Sequence, residues 1–233
     1  MKSLSVSKAI NFGWDKFNEH FGTAVGFTIS YCLVWLAVGI IGPMLEDIFS
    51  SFLGDVILVI LGLVVGALAL TMQLGLNRFG LRFCDNEKPR VTDLFKEWPH
   101  IINFLLAGLP VAIIYLPGAV VQNFLGSLPI SEGTAFILLM IYYFLAGIIG
   151  LRVQFFPYLI IDKGVSPIRS IKASFQLTSG VTPTLILLAL VHIFINCVGA
   201  LLLVIGLFIS IPVTFISLAY VYRSLLSQTD LSV

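Results

Sequence analysis

Apolar residues in this chain come in long uninterrupted blocks, broken by short segments that hold nearly all the charge. Runs of about 20 residues are needed to cross a hydrocarbon core. Such runs lie at residues 22–42, closed by Pro43, and at 56–76, 101–121 and 134–151. A last block, from Thr184 to Tyr222, is too long for one crossing and suits two, 184–203 and 207–225, turning at Gly199 or Gly206. The fourth span can run on through Pro157 toward Ile161.

Between the blocks the apolar period becomes helical. Val6, Ile10, Trp14, Phe17 and Phe21 recur at spacings of four, four, three and four, which predicts an amphipathic helix over 5–21. A second is predicted over 166–180. There Ser166 can cap the free N–H groups, Pro167 suits the first helical position, and Ile168, Ile171, Phe175 and Thr178 form the stripe. Gly180 is the expected C-terminal cap. Thr92 can start a shorter helix, Asp93–Trp98. Helices of this kind lie in the membrane interface, or tuck against the bundle end with the same stripe; the apolar face favours the interface.

Composition agrees. Hydrophobic residues make up 58% of the 233, charged residues 11%, and mean hydropathy is +1.04. A soluble domain spreads its charges more evenly. The predicted fold class is therefore all-α: a single integral membrane domain over 1–233, with six transmembrane helices in three hairpins. Asp15, Lys16 and Glu19 interrupt the place where a signal peptide would be apolar.

Orientation follows from the thirteen basic residues. Lys2, Lys8 and Lys16 precede span one. Arg78, Arg82, Lys88, Arg90 and Lys96 lie between spans two and three. Arg152, Lys163, Arg169 and Lys172 lie between four and five, and Arg223 closes span six. All fall on one side, while the other carries only Glu46, Asp47, Asp55 and Glu132. The positive-inside rule makes the basic side cytoplasmic and places both termini inside. Each hairpin is preceded by a short cytoplasmic helix, a repeat of architecture with thin residue identity.

The run PYLIIDKGVSPIRSIKASFQLTSG, the later AYVYRSL, the opening INFGWDKFNEHFG and the central RFGLRFCDNEKPRVTDLF together resemble a broad bacterial set of uncharacterised six-helix membrane proteins. That set includes the DUF975-type proteins and the membrane domain attached to some glycerophosphodiester phosphodiesterases. The resemblance covers nearly the whole chain. It implies a six-helix fold in a bacterial cytoplasmic (inner) membrane and no reaction, because the phosphodiesterase activity belongs to a separate soluble domain.

Motifs for chemistry are sparse. Cys32, Cys84 and Cys197 have no paired spacing. His20, His100 and His192 are far apart in sequence and HExxH is absent. No phosphate-binding glycine loop appears, and the near-zero net charge gives no sign of a nucleic-acid partner. No catalytic residue, cofactor or metal is expected. Gly62 and Gly66 have GxxxG spacing, which can let a helix approach closely.

Polar residues near the spans are the candidate site: Arg78, Arg152, His192 and Asn196. In one reading they form a cytoplasm-facing pocket for an anionic headgroup or solute. In the other, both arginines reach to the interface while His192 and Asn196 bond to neighbouring helices. The second is the simpler, since both arginines lie near span ends. The expected function is a non-enzymatic membrane protein whose partners are membrane lipids, a protein partner or a second copy of itself. The alternative is a small-solute transporter or permease subunit, suggested by Pro110, Pro117 and Pro157 and the repeating hairpins. A membrane-embedded enzyme ranks third.

Overall fold

The computed structural model describes residues 2–48, 52–115, 124–126, 130–202 and 205–231. Every regular element among them is helical. In chain order these are α1 (Val6–Glu19), α2 (Phe21–Ile48) and α3 (Phe52–Cys84). Two 3-10 helices follow, Val91–Phe95 and Trp98–His100. The rest are α4 (Ile101–Tyr115), α5 (Glu132–Val153), α6 (Phe156–Lys163), α7 (Pro167–Thr178), α8 (Thr182–Leu201) and α9 (Leu207–Ser227).

By length and hydropathy, five stretches can cross a membrane: Val56–Cys84, Val91–Ile114, Glu132–Lys163, Thr182–Leu201 and Leu207–Ser227. The second includes the two 3-10 turns, but its uncharged part begins at Ile101. The expected first span is α2, Phe21–Ile48, which is apolar over the described stretch Phe21–Leu36. Large apolar side chains such as Leu63, Ile102, Phe144 and Phe194 are exposed. On a soluble protein that surface would be an aggregation liability; on these helices it is the face toward lipid. The chain is an all-α, multi-pass membrane protein.

The residues divide into two compact units: Met1–Leu4, Ile102–Ala189 and Leu225–Val233 in one, Ser5–Ile101 and Leu190–Ser224 in the other. The second unit is organised around aromatic rings. Phe27 stacks on Phe79 at 3.9 Å between centroids, and Phe79 meets Phe83 edge-on at 4.7 Å. Phe17, Met72, Val213 and Ile216 close the cluster. Because lipid tails are as apolar as these side chains, close packing, not water exclusion, holds such helices together. Glycine at 13 allows that closeness: a Cβ there would lie 2.5 Å from the Val213 carbonyl oxygen. In the first unit a smaller cluster joins Phe104 and Ala107 of α4 to Phe156 and Ile160 of α6.

Some details of the expected helices hold and others are corrected. On α1, Ala9, Gly13 and Phe17 are buried, while Trp14, expected at headgroup level, and Phe21 are exposed. Small residues face the neighbouring helix because only they permit backbone contact. On α7 the buried face is offset from the apolar stripe and shares only Thr178 with it. Ser170, Ala173, Ser174, Leu177 and Thr178 are buried, and Ile168 points out, 67% exposed. Ser166 occupies the N-cap without a side-chain cap bond. Pro167 at the first position and Gly180, with its left-handed φ of 83°, are as expected.

Helix α2 continues past position 43 to Ile48, since a proline removes only one intrahelical bond and membrane helices absorb that loss. Helix α3 runs on through Asn77 to Cys84, because its charges are paired there, as described below. The predicted helix Asp93–Trp98 is two short 3-10 turns, and Asp93, not Thr92, accepts the capping bond from the Arg90 N–H at 2.8 Å. Helix α5 stops at Val153, and α6 carries the apolar stretch on through Pro157 to Lys163, as expected for the fourth span. A Cβ at Gly62 or Gly66 would meet no neighbouring element within 4 Å among the described residues. Pro117 lies outside the described residues.

Candidate functional site

At the basic end of the second unit, two arginines one turn apart on α3 meet two carboxylates with the same spacing. Arg78 Nε donates to Glu97 Oε1 at 2.7 Å and its Nη2 to Oε2 at 3.3 Å. Arg82 Nη1 donates to Asp93 Oδ2 at 2.7 Å, and Lys96 Nζ to Asp93 Oδ1 at 2.7 Å. Residues four apart share a helix face, so the order Arg78–Glu97, Arg82–Asp93 folds the segment back antiparallel along α3. Both carboxylates are buried, Asp93 to 1% exposure. Burial by itself would raise the Asp93 carboxyl; Lys96, the Arg90 N–H and Arg82 outweigh it and hold it below the usual range.

Leu94 seats this clamp. A Cβ at Gly75 would come within 2.5 Å of Leu94 Cα and its carbonyl oxygen, so glycine alone admits the segment. With Leu94 buried, Phe95 and Trp98 are turned outward, Trp98 to 68% exposure. Beside the pairs is a cavity of about 210 Å³, reached by Asp85 and Glu87, and Asp85 binds Arg223 Nη2 at 2.6 Å.

In the first unit, Arg152 ends α5 and α7 satisfies its backbone. The Arg152 carbonyl accepts from Ser174 Oγ at 2.8 Å and Thr178 Oγ1 at 3.3 Å, and Ser174 Oγ accepts from the Phe155 N–H at 3.2 Å. Arg152 Nη2 donates to the Phe175 carbonyl at 3.1 Å, with the guanidinium 4.9 Å from that ring's centre. Lys2 Nζ donates to the carbonyls of Gln176 and Leu177. Two cations thus meet the negative end of α7. Arg169 and Lys172 are exposed on its outer side, with no partner among the described residues.

Of the four sequence candidates, His192 and Asn196 come together. His192 Nε2 lies 3.2 Å from Ser217 Oγ; Asn196 Nδ2 donates to the His192 carbonyl at 2.9 Å, and Ser210 Oγ donates to Asn196 Oδ1 at 2.8 Å. These bonds join α8 to α9, and Gly199 of α8 lies against the backbone of Gly206, in the turn before α9. Arg78 is engaged by Glu97, and Arg152 belongs to the other unit. Sequence reasoning passed over Asp93 and Glu97, although their spacing of four, matched to that of Arg78 and Arg82, carried the signal.

Among the described residues no group of three His, Cys, Asp or Glu side chains could hold a metal ion. These features define a class, a multi-pass helical membrane protein with a clamped, basic end. Comparison with protein-family models, curated proteins and solved structures finds no match in any of the three.

Proposed function

We propose that this is a non-enzymatic, multi-pass protein of a bacterial cytoplasmic membrane that binds anionic lipid headgroups along its basic side. The observation that carries the reading is the outer face of α7. Ile168, Arg169 and Lys172 are exposed together, and neither cation has a partner among the described residues. An exposed apolar side chain flanked by unpaired cations suits the boundary between acyl chains and phosphates. Each basic residue near such a surface contributes about 1 kcal/mol of attraction to anionic lipid. Exposed Trp98 and Phe95, beside Lys96, give the other unit an element of the same chemistry.

The test is native mass spectrometry of protein reconstituted with equal amounts of phosphatidylglycerol and phosphatidylcholine. Wild type is expected to retain phosphatidylglycerol in excess, and the double variant R169Q/K172Q to lose much of that excess. Equal retention of the two lipids by wild type would overturn the headgroup reading.

A further inference from the structure

The segment that the clamp holds against α3, residues 91–98, is amphipathic with its faces reversed. Its acidic residues Asp93 and Glu97 are buried together with Leu94, whereas Phe95 and Trp98 are exposed. The contrast is sharpest between chain neighbours: Glu97 is 6% exposed and Trp98 68%. Where water covers a surface, carboxylates face it and large aromatic rings turn in. We infer that the outer face of this segment, Phe95 and Trp98 with Lys96 between them in the chain, is a membrane-contacting surface. Its partner is the boundary between acyl chains and headgroups.

Two markers outside the segment give the depth. Leu94 rests on Gly75, which lies three residues before Arg78, the first charge after an uncharged run that begins at Val56. Trp98 lies three residues before Ile101, where the next uncharged run begins. Three residues advance a helix by about 5 Å. The segment therefore sits within a turn of the points where α3 leaves the apolar layer and the chain re-enters it. An indole suits that depth, because its ring is apolar while its N–H needs a polar partner. Carboxylates turned outward there would lose hydration. Turned inward they meet Arg78, Arg82 and Lys96. One arrangement thus pairs the acids and turns the rings out. The segment is tucked against α3 by one face and meets lipid with the other. This deepens the membrane-surface reading of the segment and does not rest on a preference for anionic headgroups.

The experiment therefore uses vesicles of phosphatidylcholine, which has no net charge. The full chain carrying W14F and W35F, with Trp98 its sole tryptophan, is reconstituted in them. Bromine near the headgroup end of the acyl chains is expected to quench Trp98 about twofold more than bromine at the chain terminus. Aqueous iodide is expected to quench it less than it quenches free tryptophan. A second readout keeps the native tryptophans. Phe95→Cys and Lys88→Cys, each in a background lacking Cys32, Cys84 and Cys197, carry a nitroxide in the same vesicles. The label at 95 is expected to respond to oxygen, which concentrates in the bilayer, and the label at 88, an exposed position, to a water-soluble nickel chelate. Quenching by iodide without quenching by brominated lipid would mean that water covers the face. A ring reached by neither quencher would mean that a second copy or another protein covers it. Either result overturns the inference, as does quenching strongest from the chain terminus, or a label at 95 that follows the nickel chelate. Loss of phosphatidylglycerol preference in R169Q/K172Q concerns only α7 and leaves this surface standing.

Discussion

At Gly75 a single hydrogen in place of a methyl group sets the position of a ten-residue segment. A Cβ there would collide with the Leu94 backbone, which cannot swing aside as a side-chain tip could. Gly75→Ala is therefore expected to lower stability by about 1–3 kcal/mol, read as a reduced melting temperature in detergent, while Gly62→Ala, at an open position, is expected to leave it unchanged. Asp93 makes a pH prediction. Its folded carboxyl is held below the unfolded value of about 3.9. Its contribution is thus fully present above that pH and is lost as pH falls through the folded value. Wild-type melting temperature should fall in acid below about pH 4. In Asp93→Asn it should start lower at neutral pH and fall less. An acid limb of equal size in both proteins would sink this account. Glycine spacing and charge spacing were both visible in the sequence. Which glycine is crowded was not, because crowding depends on which segment folds back.

Among elements, the break between α5 and α6 depends on a partner helix. A helix end leaves four carbonyls without intrahelical bonds, and here Ser174 and Thr178 of α7 reach across to the Arg152 carbonyl while Ser174 also takes the Phe155 N–H. Ser174→Ala is expected to cost about 1–3 kcal/mol by removing buried hydrogen bonds, with Ser166→Ala, whose hydroxyl makes no cap bond, as a near-neutral control. Equal effects on melting would mean that the junction is held by packing alone. The sequence pattern predicted α7 as a helix and placed its ends closely. It left open whether the apolar stripe faces lipid or the bundle, because periodicity counts apolar residues and not contacts. The neighbouring backbone instead required hydroxyls, and α1 shows the same effect, with Gly13 preferred to Trp14 at the contact.

For the whole molecule, the prediction concerns threading. Six spans with both termini inside require that Ser131→Cys, in a background lacking Cys32, Cys84 and Cys197, react with an impermeant maleimide on intact cells. Lys88→Cys and Thr229→Cys should react only after permeabilisation. Labelling of position 229 from outside would overturn the six-span reading. The sequence by itself determined the class and most of the helical elements, and it supplied the expectation that the basic residues share one side. These follow from composition, from the length an apolar run needs to cross a bilayer, and from charge placement, all of which are one-dimensional properties. Only the tertiary structure decided that Arg78 and Arg82 meet Glu97 and Asp93, that His192 and Asn196 tie α8 to α9, and that Phe95 and Trp98 turn outward where Leu94 packs on Gly75. Each depends on which residues approach across a gap of tens of positions in the chain, and that is set by the fit of small residues against backbone, which hydrophobic periodicity does not record.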